Sequence, residues 1–353
     1  MEPNASIRLL LFADTHLGFD FPIRPRLQQR RRGPDFFANF RRVLEHAREH
    51  RPDFVIHGGD LFFRARVPQR IVDIVYTDLL EFAAEGIPII IIPGNHERSV
   101  LPTSLFLNHP NIYVFDQPRS YLFTIAGVSV AFSGFPCERK IVRDRFSSLV
   151  SSTGFHALDS QIKLLCMHQT VEGAQVGPSD YTFRSGKDVI RRSDLPIDAF
   201  AVLCGHIHRR QVLGRLDKAE RDLPAVIYPG STERTSFAER DEPKGFYEIE
   251  LAPQPAGNWQ IIGLDFIQLP ARPMEDLILD GNLTPDTLAS TIRSQISDLN
   301  RDAILRIIAG PDLDPKVKVL ITSRFLRQVL PESMNFQFGK GFNVWRNEKS
   351  GSA

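Results

Sequence analysis

Seven side chains that bind metals well are spread over five short blocks of this chain. Most blocks come directly after a run of apolar residues, which is typical of a buried strand. The seven candidate ligands are Asp14, His16, Asp60, Asn95, His168, His206 and His208. This mixture of carboxylate, imidazole and amide suits two adjacent divalent ions such as Mn²⁺, Fe²⁺ or Zn²⁺. The pattern predicts a site for two-metal hydrolysis.

The spacing of the blocks explains how these side chains can share one pocket. Asp14 and His16 are one residue apart after a strand, so both can point into a pocket as the chain turns. Asp60 follows a Gly-Gly pair that allows close approach of backbone and metal. A carboxylate at this point can bridge two cations roughly 3.5–4 Å apart. Because open α/β sheets keep active sites at the C-terminal ends of their strands, we expect the ligands to converge there.

Each candidate also has a structural interpretation. A single histidine at a strand end is usually a satisfied structural residue, and the acidic and amide side chains of Asp14, Asp60 and Asn95 can cap loops. Chance does not explain seven such residues at strand ends, so we favour a metal site. Five other histidines are expected to be structural or solvated: His46, His50, His57, His109 and His156. A role for His57 in contacting the metal ligands, without binding metal itself, is left open.

Composition restricts the class of protein. A length of 353 residues indicates two domains, and 42% hydrophobic with 24% charged residues permits a sizeable core. The net charge of +1 excludes a general polycation, so any nucleic-acid contact must come from a local patch. Only nine of the 43 basic residues are lysine. Arginine matches phosphate better than lysine does, although a G+C-rich genome would give the same bias.

Cysteine usage and hydropathy indicate the compartment. Cys137, Cys166 and Cys204 show no disulfide or metal spacing, which fits a reducing compartment. The first apolar run, at 9–13, is too short for a signal peptide, and no run approaches the roughly 20 residues that span a bilayer. We expect a cytoplasmic protein without membrane contact.

Strand and helix patterns predict an α/β fold with two layered sheets and helices outside. The first hundred residues alternate strand and helix, and the middle of the chain reads as further strands of a second, mixed sheet packed on the first. Helices are expected at 144–149 and 185–191. We place a catalytic domain at 1–268, a small α/β capping domain at 269–345 and a polar tail at 346–353.

Five motifs resemble those of the calcineurin-like metallophosphoesterase superfamily over about residues 6–268. They are Asp14-x-His16, Gly59-Asp60, Gly94-Asn95-His96-Glu97, His168 and Gly205-His206-x-His208. Within that superfamily, the blocks that begin at Asp14 and Gly59, and the stretch from Pro229 to Phe246, look like those of SbcD-type DNA repair nucleases. The resemblance implies a metallophosphoesterase core of two layered sheets and two bound ions, usually Mn²⁺.

The resemblance also implies roles for the residues. It assigns one ion to Asp14, His16, Asp60 and His208, and the other to Asp60, Asn95, His168 and His206. His96 is expected to face the scissile phosphate and to act as general acid, since imidazole has a suitable pKa. The implied activity is that of a two-metal DNA nuclease in DNA repair, a 3′-to-5′ exonuclease with endonuclease action on single strands.

Two other functions stay open at this point. One is a phosphatase or small-molecule phosphodiesterase of the same superfamily, although the Asp-Arg-Gly that follows the Gly-Asp block in protein phosphatases is absent after Asp60. The other is a non-catalytic scaffold, which predicts lost ligands, and none is lost. The expected partners are DNA and an SMC-like ATPase subunit, and a homodimer is left open.

Arginines near the first two motifs are candidate DNA contacts, with a solvated surface as the alternative. They are Arg30, Arg31, Arg32, Arg64 and Arg66, with Arg24, Arg26 and Arg70 nearby. Two features depart from the family pattern. Phe63 stands where many nuclease members have a histidine that touches nucleotide, and the chain ends soon after Trp345, where relatives continue into an ATPase-docking segment.

Overall fold

The computed structural model describes residues 6–20, 31–102, 109–216, 222–255 and 258–342. The chain forms two compact units. The first consists of the chain up to Phe19 together with Gly33–Pro270. The second begins at Ala271 and also includes Asp20, Arg31 and Arg32 among the described residues. Each unit has its own sheets and its own core.

The first unit is built mainly from strands. In chain order they are β1 (Ile7–Phe12), β2 (Phe54–His57), β3 (Ile89–Ile91), β4 (Ile112–Val114), β5 (Arg119–Ile125), β6 (Val128–Gly134), β7 (Ile162–His168), β8 (Thr170–Val171), β9 (Gln175–Val176), β10 (Tyr181–Thr182), β11 (Val189–Ile190), β12 (Ala201–Gly205), β13 (Gln211–Leu213), β14 (Ala225–Tyr228), β15 (Gly245–Pro253) and β16 (Trp259–Gln268). Its α-helices are α1 (Gly33–His50), α2 (Gln69–Ala83) and α3 (Val142–Ser152). Short 3₁₀ helices lie at Phe155–Ala157, Arg192–Asp194 and Phe237–Glu239.

Two six-stranded sheets dominate this unit. The first has the order β16-β15-β1-β2-β3-β4, and β1 to β4 run parallel while β15 and β16 are antiparallel to their neighbours. The second has the order β13-β14-β12-β7-β6-β5, with a parallel centre and antiparallel edge strands. The expected mixed second sheet is therefore confirmed.

The core lies between the two sheets, with helices covering outer faces. The ring of Phe54 on β2 lies 4.8 Å from those of Phe123 and Phe132 on the second sheet. On its other face the first sheet meets α1, where the ring of Phe40 lies 6.3 Å from that of Phe12. Because β2 is covered on both faces, all four of its residues are buried. The predicted α/β fold with two layered sheets is confirmed.

Most predicted elements agree with the structure, and one does not. The helix expected at 185–191 is wrong, because Val189 and Ile190 form β11 and pair in parallel with Thr170 and Val171 of β8. Both residues are β-branched and buried, which favours an extended backbone on a pleated surface. Gly186, with φ of +156°, precedes them. Local periodicity did not reveal this pairing with a distant strand.

The second unit is a small α/β arrangement. Its elements are β17 (Met274–Leu279), α4 (Leu288–Ile296), β18 (Ile304–Ala309), α5 (Pro315–Lys318), α6 (Ser323–Val329) and β19 (Asn335–Phe338). The three strands form one parallel sheet in the order β17-β18-β19. Asp314 and Thr322 cap α5 and α6 with their side-chain oxygens. The predicted tail at 346–353 and Trp345 lie outside the described residues.

Two further features concern helix hydropathy and the cysteines. Across the described ranges, no helix is both long and apolar enough to cross a membrane. The three cysteines are free and buried.

Candidate metal centre

The predicted ligands follow the carboxyl ends of parallel strands from both sheets. Asp14 and Asp60 come after β1 and β2, and Asn95 follows β3. His168 is the last residue of β7, and His206 comes directly after β12. A parallel bridge between Ala13 and Ser231 joins the two sheets at this end. The structure thus brings together residues from the first and the second half of the chain.

One set of donor atoms gathers around His16. Its Nε2 lies 2.9 Å from Nε2 of His208, and Asp14, His16 and His208 each offer an atom within 4.8 Å of the other two. The Nδ1 of His16 is buried and has no hydrogen-bond partner in the described part of the chain. His208 uses its Nδ1 toward Glu239 Oε1 at 3.2 Å, which leaves its Nε2 with a lone pair facing His16. An ion at this point would satisfy nitrogen atoms that otherwise face each other.

A second set gathers around Asn95. Its Oδ1 lies 3.0 Å from Nε2 of His168 and 2.8 Å from Nδ1 of His206, and these two nitrogens are 3.3 Å apart. Asp60 Oδ2 lies 3.4 Å from the same His168 Nε2. Ligands held about 2.1 Å from one ion at tetrahedral or octahedral angles lie about 3.0–3.4 Å apart. The donor set and its spacing therefore fit a divalent metal ion.

Asp60 connects the two sets. It also belongs to a group with Asp14 and His168, and to another with His16 and His96, in which the ligand atoms lie within 4.8 Å of one another. Its Oδ1 accepts the backbone N–H of His96 at 2.9 Å, which fixes the carboxylate. This placement is the one that a bridging ligand requires.

The backbone at the ligands is strained in a consistent way. Asp14, His16, Asp60 and His206 have φ of +53°, +45°, +54° and +88°. Non-glycine residues rarely adopt the left-handed region, and such residues cluster at functional sites where the surroundings hold them. The backbone N–H of Asp14 donates to Gly59 O and that of His16 to Asp60 O, so the first two turns brace each other.

Two glycines make room for the ligands. A Cβ at Gly59 would lie 2.3 Å from His168 Nδ1, and a Cβ at Gly94 would lie 2.1 Å from Asp60 Oδ1. His168 instead donates from Nδ1 to Gly58 O at 2.8 Å, which directs Nε2 into the site. Metal-binding histidines commonly donate their second nitrogen to a carbonyl in this manner.

Burial and mutual charge set the protonation of the ligands in the metal-free protein. Burial raises the pKa of Asp14 to about 6. Burial alone would also raise the pKa of Asp60, but His168, His16 and His96 outweigh it and hold this pKa below its usual range. Burial opposes protonation of His168, yet Asp60 raises its pKa to about 9. Burial and His168 lower the pKa of His206 to about 3.

His96 adjoins the candidate ligands and is more exposed than the buried Asp60 and His168. Its Nδ1 donates to Phe63 O at 2.7 Å, and its Nε2 lies 3.8 Å from Asp60 Oδ2. Its side chain is 35% exposed, so Nε2 can face a substrate. The ring of Phe63 lies 5.6 Å from that of His96 and 6.0 Å from that of His16. The main-chain carbonyl of Phe63 therefore orients the imidazole of His96. This contact does not depend on the side chain of Phe63.

Sequence reasoning did not assign roles to several residues that support the ligands. Glu97 accepts the backbone N–H of Phe62 at 2.6 Å and that of Gly94 at 2.9 Å, and burial with nearby Asp60 raises its pKa to about 8. Glu97 therefore links the segment after Asp60 to the Gly-Asn-His-Glu motif. The Gly-Asn-His-Glu motif contains this residue, but spacing alone does not show where its carboxylate points.

A buried ion pair stands behind His208. Glu239 lies 2.7 Å from Nζ of Lys244, whose side chain is fully buried, and Lys244 also donates to His208 O at 3.0 Å. Burial would raise the pKa of Glu239, but the hydrogen bond from His208 and the charge of Lys244 hold it below its usual range. A carboxylate at this position orients the imidazole of His208. Lys244 lies in the stretch that resembles the nucleases, although the sequence did not indicate its partner.

His57 has a structural position next to the site. Its Nε2 donates to Thr15 Oγ1 at 3.0 Å, Thr15 donates to Leu61 O at 3.0 Å, and Gly59 N–H donates to His57 Nδ1 at 3.2 Å. Burial lowers the pKa of His57 to about 3, which keeps it neutral. His57 therefore links the turn that carries Asp14 to the turn that carries Asp60.

The arginines predicted to contact DNA differ in exposure. Arg30 lies outside the described residues, as do Arg24 and Arg26. Arg31 is partly exposed and pairs with Asp20 at 3.0 Å, and Arg32 is buried. Arg66 is exposed, and Arg64 is partly exposed with its guanidinium 5.8 Å from the Phe63 ring.

A model of the calcineurin-like phosphoesterase family matches residues 7–210. The chain belongs to the calcineurin-like phosphoesterase family. The family is described as phosphoesterases, and the grouped donor residues of this chain could hold divalent metal ions. Each of the seven predicted ligands lies within the matched residues.

Relatives of this calcineurin-like phosphoesterase include proteins of DNA repair. It is 26% identical to the DNA double-strand break repair protein Mre11 of Methanocaldococcus jannaschii, over 68% of this chain and 61% of that protein. It is 25% identical to a subunit of the nuclease SbcCD of Bacillus subtilis, over 72% of this chain and 68% of that protein. The crystal structure of a dimetal phosphatase from Danio rerio aligns with a TM-score of 0.45 and 13% identity, over 74% of this chain and 98% of that one. The chain spans about three fifths of the first of these relatives.

Proposed function

We propose that this protein is a DNA nuclease that cleaves phosphodiester bonds with two divalent ions, most effectively Mn²⁺. The observation that carries the proposal is the division of seven donor residues into two sets that meet at Asp60. The relatives named as a DNA repair protein and a nuclease subunit support DNA as substrate. Cleavage from 3′ to 5′, with endonuclease action on single strands, is part of the proposal.

The two sets divide the binding of the ions between them. Asp14, His16 and His208 would hold one ion with Asp60, and Asn95, His168 and His206 would hold the other with Asp60. Bound ions would supply a nucleophilic water near neutral pH and offset charge on the phosphate. Glu239 and Gly58 O accept hydrogen bonds from Nδ1 of His208 and of His168, respectively. These bonds orient both imidazoles so that Nε2 of each would face an ion.

His96 would provide the proton for the leaving sugar oxygen. Its Nδ1–H is held by Phe63 O, so the imidazolium would have only Nε2–H to donate toward substrate. The same nitrogen, on a side chain that is 35% exposed, would contact a phosphate oxygen before proton transfer. Arg64 and Arg66 would hold the flanking strand, because each presents at least part of its side chain to solvent.

The oligomeric setting is also part of the proposal. A relative named as a subunit of a nuclease supports assembly with another chain, and we propose an SMC-like ATPase in that place. Copurification of the tagged chain with such an ATPase would test this separately from catalysis.

The test is cleavage of end-labelled DNA by purified protein in Mn²⁺, beside p-nitrophenyl phosphate and bis-p-nitrophenyl phosphate. We expect shortened DNA and diester hydrolysis, loss of both in EDTA, and better recovery with Mn²⁺ than with Mg²⁺, which seldom accepts several imidazoles. Hydrolysis of the monoester without cleavage of DNA would favour the phosphatase interpretation instead.

Asp60→Asn provides the sharpest variant for this test. Loss of a carboxylate that faces both sets should lower the amount of bound metal and abolish turnover. This loss should exceed the roughly 10–100-fold fall in metal affinity or activity that follows removal of a residue that only hydrogen-bonds to a metal ligand. Asp78→Asn is the matched control, since Asp78 pairs with the exposed Arg41 at 2.8 Å on the surface. Elemental analysis that finds the same metal content in both variants would contradict the two-metal site.

A further inference from the structure

A second cluster of metal-competent side chains lies where α1 meets β15. His46 and His50 are one helical turn apart at the end of α1, and their rings stack with centroids 3.9 Å apart and 14° between planes. The Nε2 of His46 lies 2.8 Å from Oε1 of Glu248 on β15. Each of the three residues offers a ligand atom within 4.8 Å of the other two. Two imidazoles and one carboxylate are a common donor set for Zn²⁺.

The hydrogen bond of His50 leaves its Nε2 available to bind a metal ion. His50 donates from Nδ1 to His46 O at 3.0 Å, so its Nε2 keeps a lone pair. Metal ligands are oriented by this kind of bond to a carbonyl. The ring of His46 packs at 70° against the ring of Phe246, with centroids 4.9 Å apart. His50 lies on the surface, and its available nitrogen would complete a set of three donors with His46 and Glu248.

The surrounding charges favour a cation. Glu248 is paired directly across the strands with Asp265, and Glu250 lines the same cavity of about 130 Å³ as His50, Glu248 and Asp265. Like charges opposite each other on one sheet face repel, and a bound cation would relieve this repulsion. The arginine that lines the same cavity is Arg8, which lies directly across the strands from Glu250 and donates from its guanidinium to His50 O at 3.1 Å and Arg51 O at 2.9 Å.

This cluster is separate from the metal centre described above. Glu248 pairs with Leu10 in the middle of β1, whereas Asp14 lies beyond the end of that strand. Four residues at about 3.3 Å each place these positions roughly 13 Å apart along the strand. The cluster also lies on the outer face of the sheet, which α1 covers.

We propose that His46, His50 and Glu248 form a Zn²⁺ site that clips the end of α1 to β15. The helix and the strand lie far apart in the chain, so an ion that binds only the folded arrangement stabilises it by linkage. The site has three protein ligands, which leaves one position of a tetrahedral ion for water. This proposal does not depend on the nuclease activity, and its readout is metal content and stability.

The test compares zinc content of wild type, His50→Ala, Glu248→Gln and His156→Ala after stripping and equilibrium dialysis. His156 is the matched control, because it is also an exposed histidine and it lies outside both clusters. We expect one zinc ion fewer per chain in His50→Ala and in Glu248→Gln, and no change in His156→Ala. Zinc should also raise the Tm of wild type more than that of His50→Ala.

Three results decide the matter. Equal Tm values for wild type and His50→Ala in EDTA would show that the variant is folded, as expected for a surface residue. Equal zinc content in wild type and His50→Ala would overturn the proposal and leave His46 and Glu248 as a hydrogen-bonded pair. A loss of zinc that is just as large in His156→Ala would also overturn it, because it would indicate nonspecific binding to surface imidazoles.

Discussion

At the scale of single residues, the candidate metal centre is built from groups that are held in unfavourable backbone conformations and protonation states. Four of the seven candidate ligands have left-handed backbones, and His168 and Asp60 are buried next to each other with shifted pKa values in the metal-free protein. Hydrogen bonds from neighbouring turns hold this arrangement in place before metal arrives. Pre-organisation of this kind is common where strain contributes to function.

His96→Asn should separate metal binding from turnover. We expect both ions and DNA affinity to be retained, since the donor atoms of the two sets do not include His96. Removal of a general acid should slow DNA cleavage about 10²–10⁴-fold. The loss should be smaller for a diester with a p-nitrophenolate leaving group, which needs little protonation. The measurement is single-turnover cleavage of both substrates by metal-loaded protein.

Two outcomes would change the role of His96. Equal losses on both substrates would favour positioning of the phosphate over proton donation. Unchanged DNA cleavage would remove His96 from the mechanism.

The raised pKa of His168 predicts that metal binding depends on pH. Burial opposes its protonation, but Asp60 raises the pKa to about 9, so the metal-free protein carries this proton at about pH 7.5. Because the folded-state pKa is raised, the proton stabilises the metal-free fold below about pH 6.5, and this contribution is lost as pH rises through about 9. A metal ligand must be deprotonated, so binding at about pH 7.5 should release about one proton from His168.

Titration calorimetry in buffers of different ionisation enthalpy measures this release. The observed heat of Mn²⁺ binding should vary linearly with buffer enthalpy, and metal affinity should increase between about pH 6.5 and about pH 9. A heat of binding that is the same in every buffer would show that His168 is already neutral.

At the scale of elements, the site is made by turns between strands and the next segment. The turns after β2 and β3 approach so closely that Gly94 faces Asp60 without space for a methyl group. Gly94 is therefore required for space and not for an unusual φ. By contrast, Gly86 at the end of α2 has φ of +91°, and a methyl group there would meet nothing within 4 Å among the described residues.

Gly94→Ala and Gly86→Ala form a matched pair for this argument. In Gly94→Ala, a Cβ 2.1 Å from Asp60 Oδ1 must displace the carboxylate, so we expect loss of bound metal and of most turnover. In Gly86→Ala, a left-handed alanine should cost about 1–2 kcal/mol of unfolding free energy and leave metal content unchanged. Metal analysis together with denaturant unfolding measures both effects. Full metal occupancy in Gly94→Ala would show that the turn can move aside.

At the scale of the whole molecule, every donor residue belongs to the first unit. We propose that residues 1–268 are the catalytic domain and that 269–345 cap it and add surface for a long substrate. A chain that stops after Pro270 should then keep hydrolysis of bis-p-nitrophenyl phosphate better than cleavage of DNA.

Kinetics on the two substrates, with circular dichroism to confirm folding, measure the effect of this truncation. The expected result is a larger fall in kcat/KM for DNA than for the small diester. Equal falls for both substrates would show that the second unit supports the fold of the site instead of binding DNA.

Much of the site was determined by local sequence. The seven candidate ligands and the strands before them were predictable, because apolar runs define buried strands and parallel strands place their carboxyl ends together. Helix α1 was predictable from the spacing of Phe36, Phe40 and Val43, all of which are buried. The pairing of β11 with β8 was not, because a two-residue strand has too little periodicity to distinguish it from a helix.

Only the tertiary structure decided which of these residues support one another. The pairing of His208 with Glu239, and the burial of Lys244 beside it, join segments whose separation along the chain carries no periodic signal. The same is true of His46 and Glu248, which are separated by about 200 residues and meet because α1 packs on β15. Sequence patterns report the local geometry of helices and strands, whereas contacts between distant segments depend on how those elements pack.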